Sequence, residues 1–186
     1  MKTIFDLCKR LDNPVRRELL RRVYTSRDDG ANVTLAQDES GVGLSGVSQY
    51  LKQLEELGLI ARRRSGRFVN YLADWSLAPK GIKSIAAMLH GRFKEAGTID
   101  SLSPVFHAVM NPFRGRVLNW LMRGGKGDKK FLADRFGKDL RTIDRDLKPA
   151  IDAGLLDMTD DDEDVGSYVF VTPADSIARE IIALAV

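Results

Sequence analysis

The sequence predicts a mainly helical chain with small β-hairpins, built from one short unit used twice. Two observations carry the repeat. Leu11-Asp12-Asn13-Pro14-Val15-Arg16 returns as Val109-Met110-Asn111-Pro112-Phe113-Arg114. Further on, Leu44, Val47, Leu51, Leu54, Leu57, Gly58 and Leu59 are echoed by Leu140, Ile143, Leu147, Ala150, Ala153, Gly154 and Leu155. The offsets are 98 and 96 residues, so one short indel separates two copies in the same order. A third observation sets the class within each copy: helical apolar spacing gives way, after a glycine stop, to strand-like alternation around a tight turn. The units are placed at 1–95 and 99–186, with Glu95-Ala96-Gly97-Thr98-Ile99-Asp100 as a linker lacking any apolar period.

In the first unit, Thr3-Ile4-Phe5-Asp6 fits a capping box and opens a helix over about 3–12. Asn13-Pro14 ends it, and proline in the first turn starts a second helix with Val15, Leu19, Leu20 and Val23 inward. Arg27-Asp28-Asp29-Gly30 reads as a turn, a short helix surrounds Leu35, and Gly41-Val42-Gly43 turns again. The helix over about 45–57 places Val47, Leu51 and Leu54 on one face, and Gly58 is its left-handed stop. Segments 59–64 and 67–72 alternate around Ser65-Gly66, a two-residue hairpin turn. This order is that of a winged helix-turn-helix.

The second unit repeats the plan. Ser103 caps a helix with Pro104 in its first turn, helices follow at about 113–123, 129–136 and 141–153, and Gly154 stops the last. A hairpin over about 155–171 has its tip at Asp160–Asp164. Thr172-Pro173-Ala174-Asp175 reads as a capping box opening a final helix with Ile177, Ile181, Ile182 and Leu184. Residues 79–94 form an amphipathic helix carrying Ile82, Ile85, Ala86 and Leu89. The apolar faces of these two helices are candidate dimer surfaces, or else cover their own cores.

Composition bounds the function. Over 186 residues, 44% are apolar and 30% charged, a globular mixture. No apolar stretch approaches the ~20 residues of a membrane span, and Asp6 interrupts any secretory hydrophobic region, so a cytoplasmic protein without membrane contact is expected. Cys8 is the only cysteine and the histidines are His90 and His107, too few for a thiolate metal site, and no nucleophile–base pair is legible at motif spacing. No metal, cofactor or catalytic site is therefore expected. The net charge of +3 hides an asymmetry: residues 1–95 hold 17 Lys/Arg against 11 Asp/Glu, whereas residues 96–186 hold 12 against 15.

Leu11-Asp12-Asn13-Pro14-Val15-Arg16, the run from Ser45 through Ile60, and Arg62-Arg63-Arg64-Ser65-Gly66-Arg67 with Tyr71 together resemble the ArsR-type family of winged-helix transcriptional regulators. The resemblance covers about residues 5–75 well and the second unit loosely. It implies a dimeric repressor whose recognition helix enters the major groove. Many members sense metals through a Cys-x-Cys pair before that helix; here the stretch is Val33-Thr34-Leu35-Ala36-Gln37, so metal sensing is not carried over.

The residues support the DNA reading independently. With one face buried, helix 45–57 presents Ser45, Gly46, Ser48, Gln49, Lys52 and Gln53 outward. Gln49 can bond adenine N6 and N7 together, and small Ser45 and Gly46 permit close approach. Tyr50 is expected to pack against the hairpin. Arg62, Arg63, Arg64 and Arg67 surround the hairpin turn as phosphate contacts, with Arg62 and Arg64 on one face. Arg16, Arg17, Arg21 and Arg22 divide between phosphate contact and a solvated helix face. In the second unit, Asp144 and Asp146 interleave with Arg141, Thr142, Arg145 and Lys148, and the tip Asp160–Asp164 is acidic, so DNA contact there is disfavoured.

Three motif matches fail. Gly41-Val42-Gly43-Leu44-Ser45-Gly46 has dinucleotide-binding spacing but no preceding apolar strand. The glycine-rich run Arg123–Lys129 lacks the phosphate-loop order, and Asp160, Asp162 and Asp164 lack the closing glutamate of a calcium loop. The expectation is a DNA-binding regulator, acting as a repressor, that binds duplex DNA as a homodimer. The second unit serves dimerisation, an effector or a protein partner. The alternative is a tandem winged-helix adaptor that binds protein and not DNA.

Overall fold

A computed structural model describes residues 3–26, 30–32, 42–66, 68–159 and 166–185. The expected turn at 27–29, the helix around Leu35, Gly41, Arg67 and the acidic tip Asp160–Asp164 lie outside the described residues. The chain is mainly helical, with two small antiparallel sheets. It divides into two compact units, Met1–Ser101 and Leu102–Val186.

In the first unit α1 (Ile4–Leu11) begins with the expected capping box: Asp6 N–H donates to Thr3 Oγ1 at 3.3 Å and Thr3 N–H to Asp6 Oδ2 at 2.9 Å. Asn13 caps α2 (Pro14–Thr25) by accepting from Arg16 N–H at 3.0 Å. After β1 (Ala31–Asn32) come α3 (Leu44–Leu57), β2 (Ala61–Ser65), β3 (Phe68–Leu72) and α4 (Lys80–Ala96). Leu7, Leu11, Leu19, Leu20, Val47, Leu51, Leu54, Ile85 and Leu89 fill the core. Gly58 ends α3 at φ +79°, where a Cβ would lie 2.9 Å from the Ala78 backbone. Only glycine satisfies both the left-handed turn and that close approach.

The second unit holds α5 (Ser103–Val109), α6 (Pro112–Met122), β4 (Gly127–Asp128), α7 (Lys129–Phe136), α8 (Leu140–Asp152), β5 (Leu156–Thr159), β6 (Ser167–Phe170) and α9 (Ser176–Ala183), the order of the first unit's described elements with α7 added. Asn111 caps α6 with the backbone angles of Asn13, φ −88° against −85°. The sheets share a topology, β1-β3-β2 and β4-β6-β5, each with the later hairpin strand in the middle.

Several expectations need correction. The short strands β1 and β4 were not expected; two residues carry no readable alternation. Ser65 pairs with Phe68 and so belongs to β2, not to the turn as expected. This register puts Gly66, at φ +59°, in the first turn position that needs positive φ. Ser103 lies inside α5, whose cap is Leu102. Thr172 and Pro173 lie outside α9, because Asp175 accepts from both Ile177 and Ala178 N–H and caps the helix itself. The apolar faces considered for dimerisation are consumed internally: Ile82, Ile85, Ala86 and Leu89 of α4, and Ile177, Ile181 and Ile182 of α9, are buried in their own units.

Candidate nucleic-acid interface

The outer face of α3 carries Ser45, Ser48, Gln49 and Lys52, all exposed, opposite buried Val47, Leu51 and Leu54. With 3.6 residues per turn these four form one stripe. Gly46 and Gln53 fall on its flank and are half-buried. A Cβ on Gly46 would stand 2.5 Å from Val42 Cγ1. Gln53 has a buried Oε1 with no partner among the described residues and lines a groove with Asp6 and Arg10 of α1. On the same flank, the Arg16 guanidinium lies 5.2 Å from the Tyr50 ring centroid. Tyr50, expected to pack against the hairpin, thus meets Arg16 of α2.

Arg62, Arg63 and Arg64 are exposed along β2. The register pairs Arg62 with Tyr71, Arg63 with Asn70 and Arg64 with Val69. Opposed residues share a face, so Arg62 and Arg64 project from the side that buries Tyr71. They line a shallow groove of about 370 Å³ with Val69. Glu55 of α3 approaches Arg62 Nε at 3.7 Å, a loose and exposed pair that ties the hairpin to the helix.

The arginines of α2 are mostly engaged elsewhere. Arg21 and Arg22 both donate to Glu18, at 2.7 and 2.8 Å. The Arg21 hydrogen bond, with that from Arg22, holds the Glu18 carboxyl below the usual range. Arg17 is buried and donates to the Leu11 and Asp12 carbonyls at 2.9 and 3.1 Å, closing the end of α1. Neither role expected for Arg17 describes this. The signal lay in its place four residues after the Asn13 cap, which turns it back onto the preceding helix.

In the second unit, most cations on or beside the corresponding helix α8 meet carboxylates, while Arg141 stands exposed. Lys129 meets Asp144, Arg145 pairs with Asp146 at 3.1 Å, and Lys148 with Asp152 at 3.0 Å. Thr142 donates its hydroxyl to the Asp139 cap at 2.6 Å. Cations already held by carboxylates have less to gain from a phosphate than free ones.

Among the described residues no group of three His, Cys, Asp or Glu converges to hold a metal, and no helix is long and apolar enough to cross a membrane. Cys8 is buried, and burial pushes its thiol far above the ordinary value.

A capped helix with a polar outer stripe, followed by a basic hairpin, is the arrangement that the sequence likened to ArsR-type regulators. That likeness is shown directly: the chain is 38% identical over 71 residues to a Halobacterium salinarum protein named as an arsenical resistance operon repressor. The match covers 38% of this chain and 59% of the relative. No family model and no solved structure matches the chain.

Proposed function

We propose that the chain is a transcriptional regulator, a repressor that binds duplex DNA through its first unit. Both units are read as winged helices, with α3 entering the major groove and the β2–β3 hairpin lying on phosphates. One observation carries this most: the exposed stripe Ser45, Ser48, Gln49 and Lys52 and the exposed cations Arg62, Arg63 and Arg64 stand on consecutive elements of one unit. The helix supplies donors and acceptors for base edges, and the hairpin supplies charge for the backbone. The likeness to a repressor supports the regulatory role and speaks against an enzyme.

In this reading Gly46 and Gln53 are peripheral. Gly46 permits approach of the backbone, and Gln53 reaches a base edge only by leaving its flank. Arg67 joins the hairpin contacts by sequence position. The second unit serves a partner or an effector, because Arg145 and Lys148 of α8, and Lys129 of α7 beside it, are held by carboxylates. A homodimer, as the resemblance implies, would use surfaces other than the apolar faces of α4 and α9.

A mobility-shift titration on duplex from the protein's own upstream region, repeated at rising salt, tests the reading. Binding that weakens linearly in log–log form with salt supports it. No binding at low salt, with retained affinity for a protein partner, establishes the adaptor reading in its place.

A further inference from the structure

The first unit contains a second feature, which shares no lining residue with the exposed stripe of α3. A cavity of about 530 Å³ opens between α2, the chain leaving β3, and α4. This size suits a small organic ligand. Its walls differ in character. Lys94 and His90 stand one turn apart on α4, Asp74 follows β3, and Val23 and Leu72 supply apolar surface.

The charges are separated. Asp74 accepts from the Ser76 backbone N–H at 2.8 Å, and its carboxyl is held low mainly by that bond, with a smaller contribution from Lys83. Lys94 forms no ion pair with a described acid; the group it acts on is His90, whose pKa burial first and Lys94 second push below the ordinary value. His90 is itself fixed, with its ring 5.3 Å from Tyr24 and 5.1 Å from Trp75, and it bonds the Tyr24 backbone. The cavity therefore offers a cation unpaired among the described residues on one wall, a carboxylate on another and an apolar patch beside them.

We propose that this cavity binds a small zwitterion, a free α-amino acid with an apolar side chain. Lys94 holds its carboxylate, Asp74 its ammonium, and Val23 and Leu72 cover the side chain. A dipolar ion is the complement of a cavity whose described walls carry separated opposite charges that balance. A simple anion would gain Lys94 but meet Asp74, and a simple cation would do the reverse.

The two histidines, His90 and His107, fall in different units and give the test an internal control. L-Leucine is titrated into the full chain while the imidazole Cε1–H resonances are followed by NMR, with 4-methylpentanoate as the analogue lacking the ammonium. The expected result is a saturable shift of His90 alone, with 4-methylpentanoate binding about tenfold more weakly. Lys94→Ala and Asp74→Asn should each weaken leucine binding by about the same factor. Both positions are exposed, so the variants should fold, and unchanged starting spectra verify this. Parallel, unsaturated shifts of both histidines would overturn the proposal. So would equal affinity for leucine and 4-methylpentanoate, or leucine binding unchanged in Lys94→Ala. None of these outcomes depends on DNA binding.

Discussion

Arg17 and Asp100, 83 residues apart, are joined by a hydrogen bond from Nε to Oδ1 of 2.8 Å. The bond ties the second helix to the chain leaving α4, while the same guanidinium closes the end of α1. A residue that sequence alone places on a basic surface is thus an internal fastening of the first unit.

Replacing it should therefore cost stability before it costs affinity. Arg17→Met leaves the Leu11 carbonyl without its buried donor, and a loss of about 2–4 kcal/mol is expected. Urea unfolding of the full chain measures it. A loss below about 0.5 kcal/mol would place Arg17 among ordinary surface cations.

The pair also predicts a pH dependence. The Arg17 hydrogen bond, foremost among several causes, holds the Asp100 carboxyl below its ordinary value when folded. A depressed carboxyl contributes stability above its unfolded value and loses it as pH falls through the folded one. Asp100→Asn should be less stable than the parent at neutral pH, and the two should converge in acid. The difference should be modest because the carboxylate is 69% exposed. Urea midpoints compared at neutral and acidic pH would show whether the gap closes.

At the hairpin, Arg62, Arg64 and Arg67 changed together to alanine should weaken DNA binding and flatten its salt dependence. Every phosphate that the variant no longer neutralises takes ~0.9 off the log–log slope. An unchanged slope would take the hairpin off the phosphates.

Gln49→Ala should act on preference more than on strength. A bidentate contact to adenine discriminates by about 1–3 kcal/mol, so preferred duplexes should lose affinity while random ones barely change. Selection from random duplexes by parent and variant makes the comparison. Equal loss on every duplex would rule out base reading by this residue.

In the second unit, Asn119 donates to the Ile182 and Ala183 carbonyls at 3.0 and 2.9 Å, holding α9 against α6. Asn119→Ala should destabilise by about 1–3 kcal/mol through those two buried acceptors. Faster amide exchange at the end of α9 would report it locally, and unchanged exchange would contradict the role.

Most helices were legible because their signals are local. The Thr3 and Asn13 caps, proline in the first turn and Gly58 act within a few residues of the ends they set. The register of β2 against β3 was legible only to one residue, since Ser65, expected in the turn, pairs with Phe68. Thr172-Pro173 failed as a start because Asp175, three residues on, makes the better cap. In the candidate interface, the stripe of Ser45, Ser48, Gln49 and Lys52 follows from period alone. The inward turn of Gln53 does not.

The sequence by itself determined that one small unit occurs twice and that its two copies differ in charge, with Arg62-Arg63-Arg64 on one hairpin and Asp160–Asp164 on the other. Repetition and charge are properties of residue order and need no coordinates. Only the tertiary structure decided which cations are available. Arg17 is spent on Asp100, 83 residues away, whereas Arg63 and Arg64 stand exposed on β2. The reason is distance. A charge acts through its partners within a few ångströms, and chain folding alone brings those partners there.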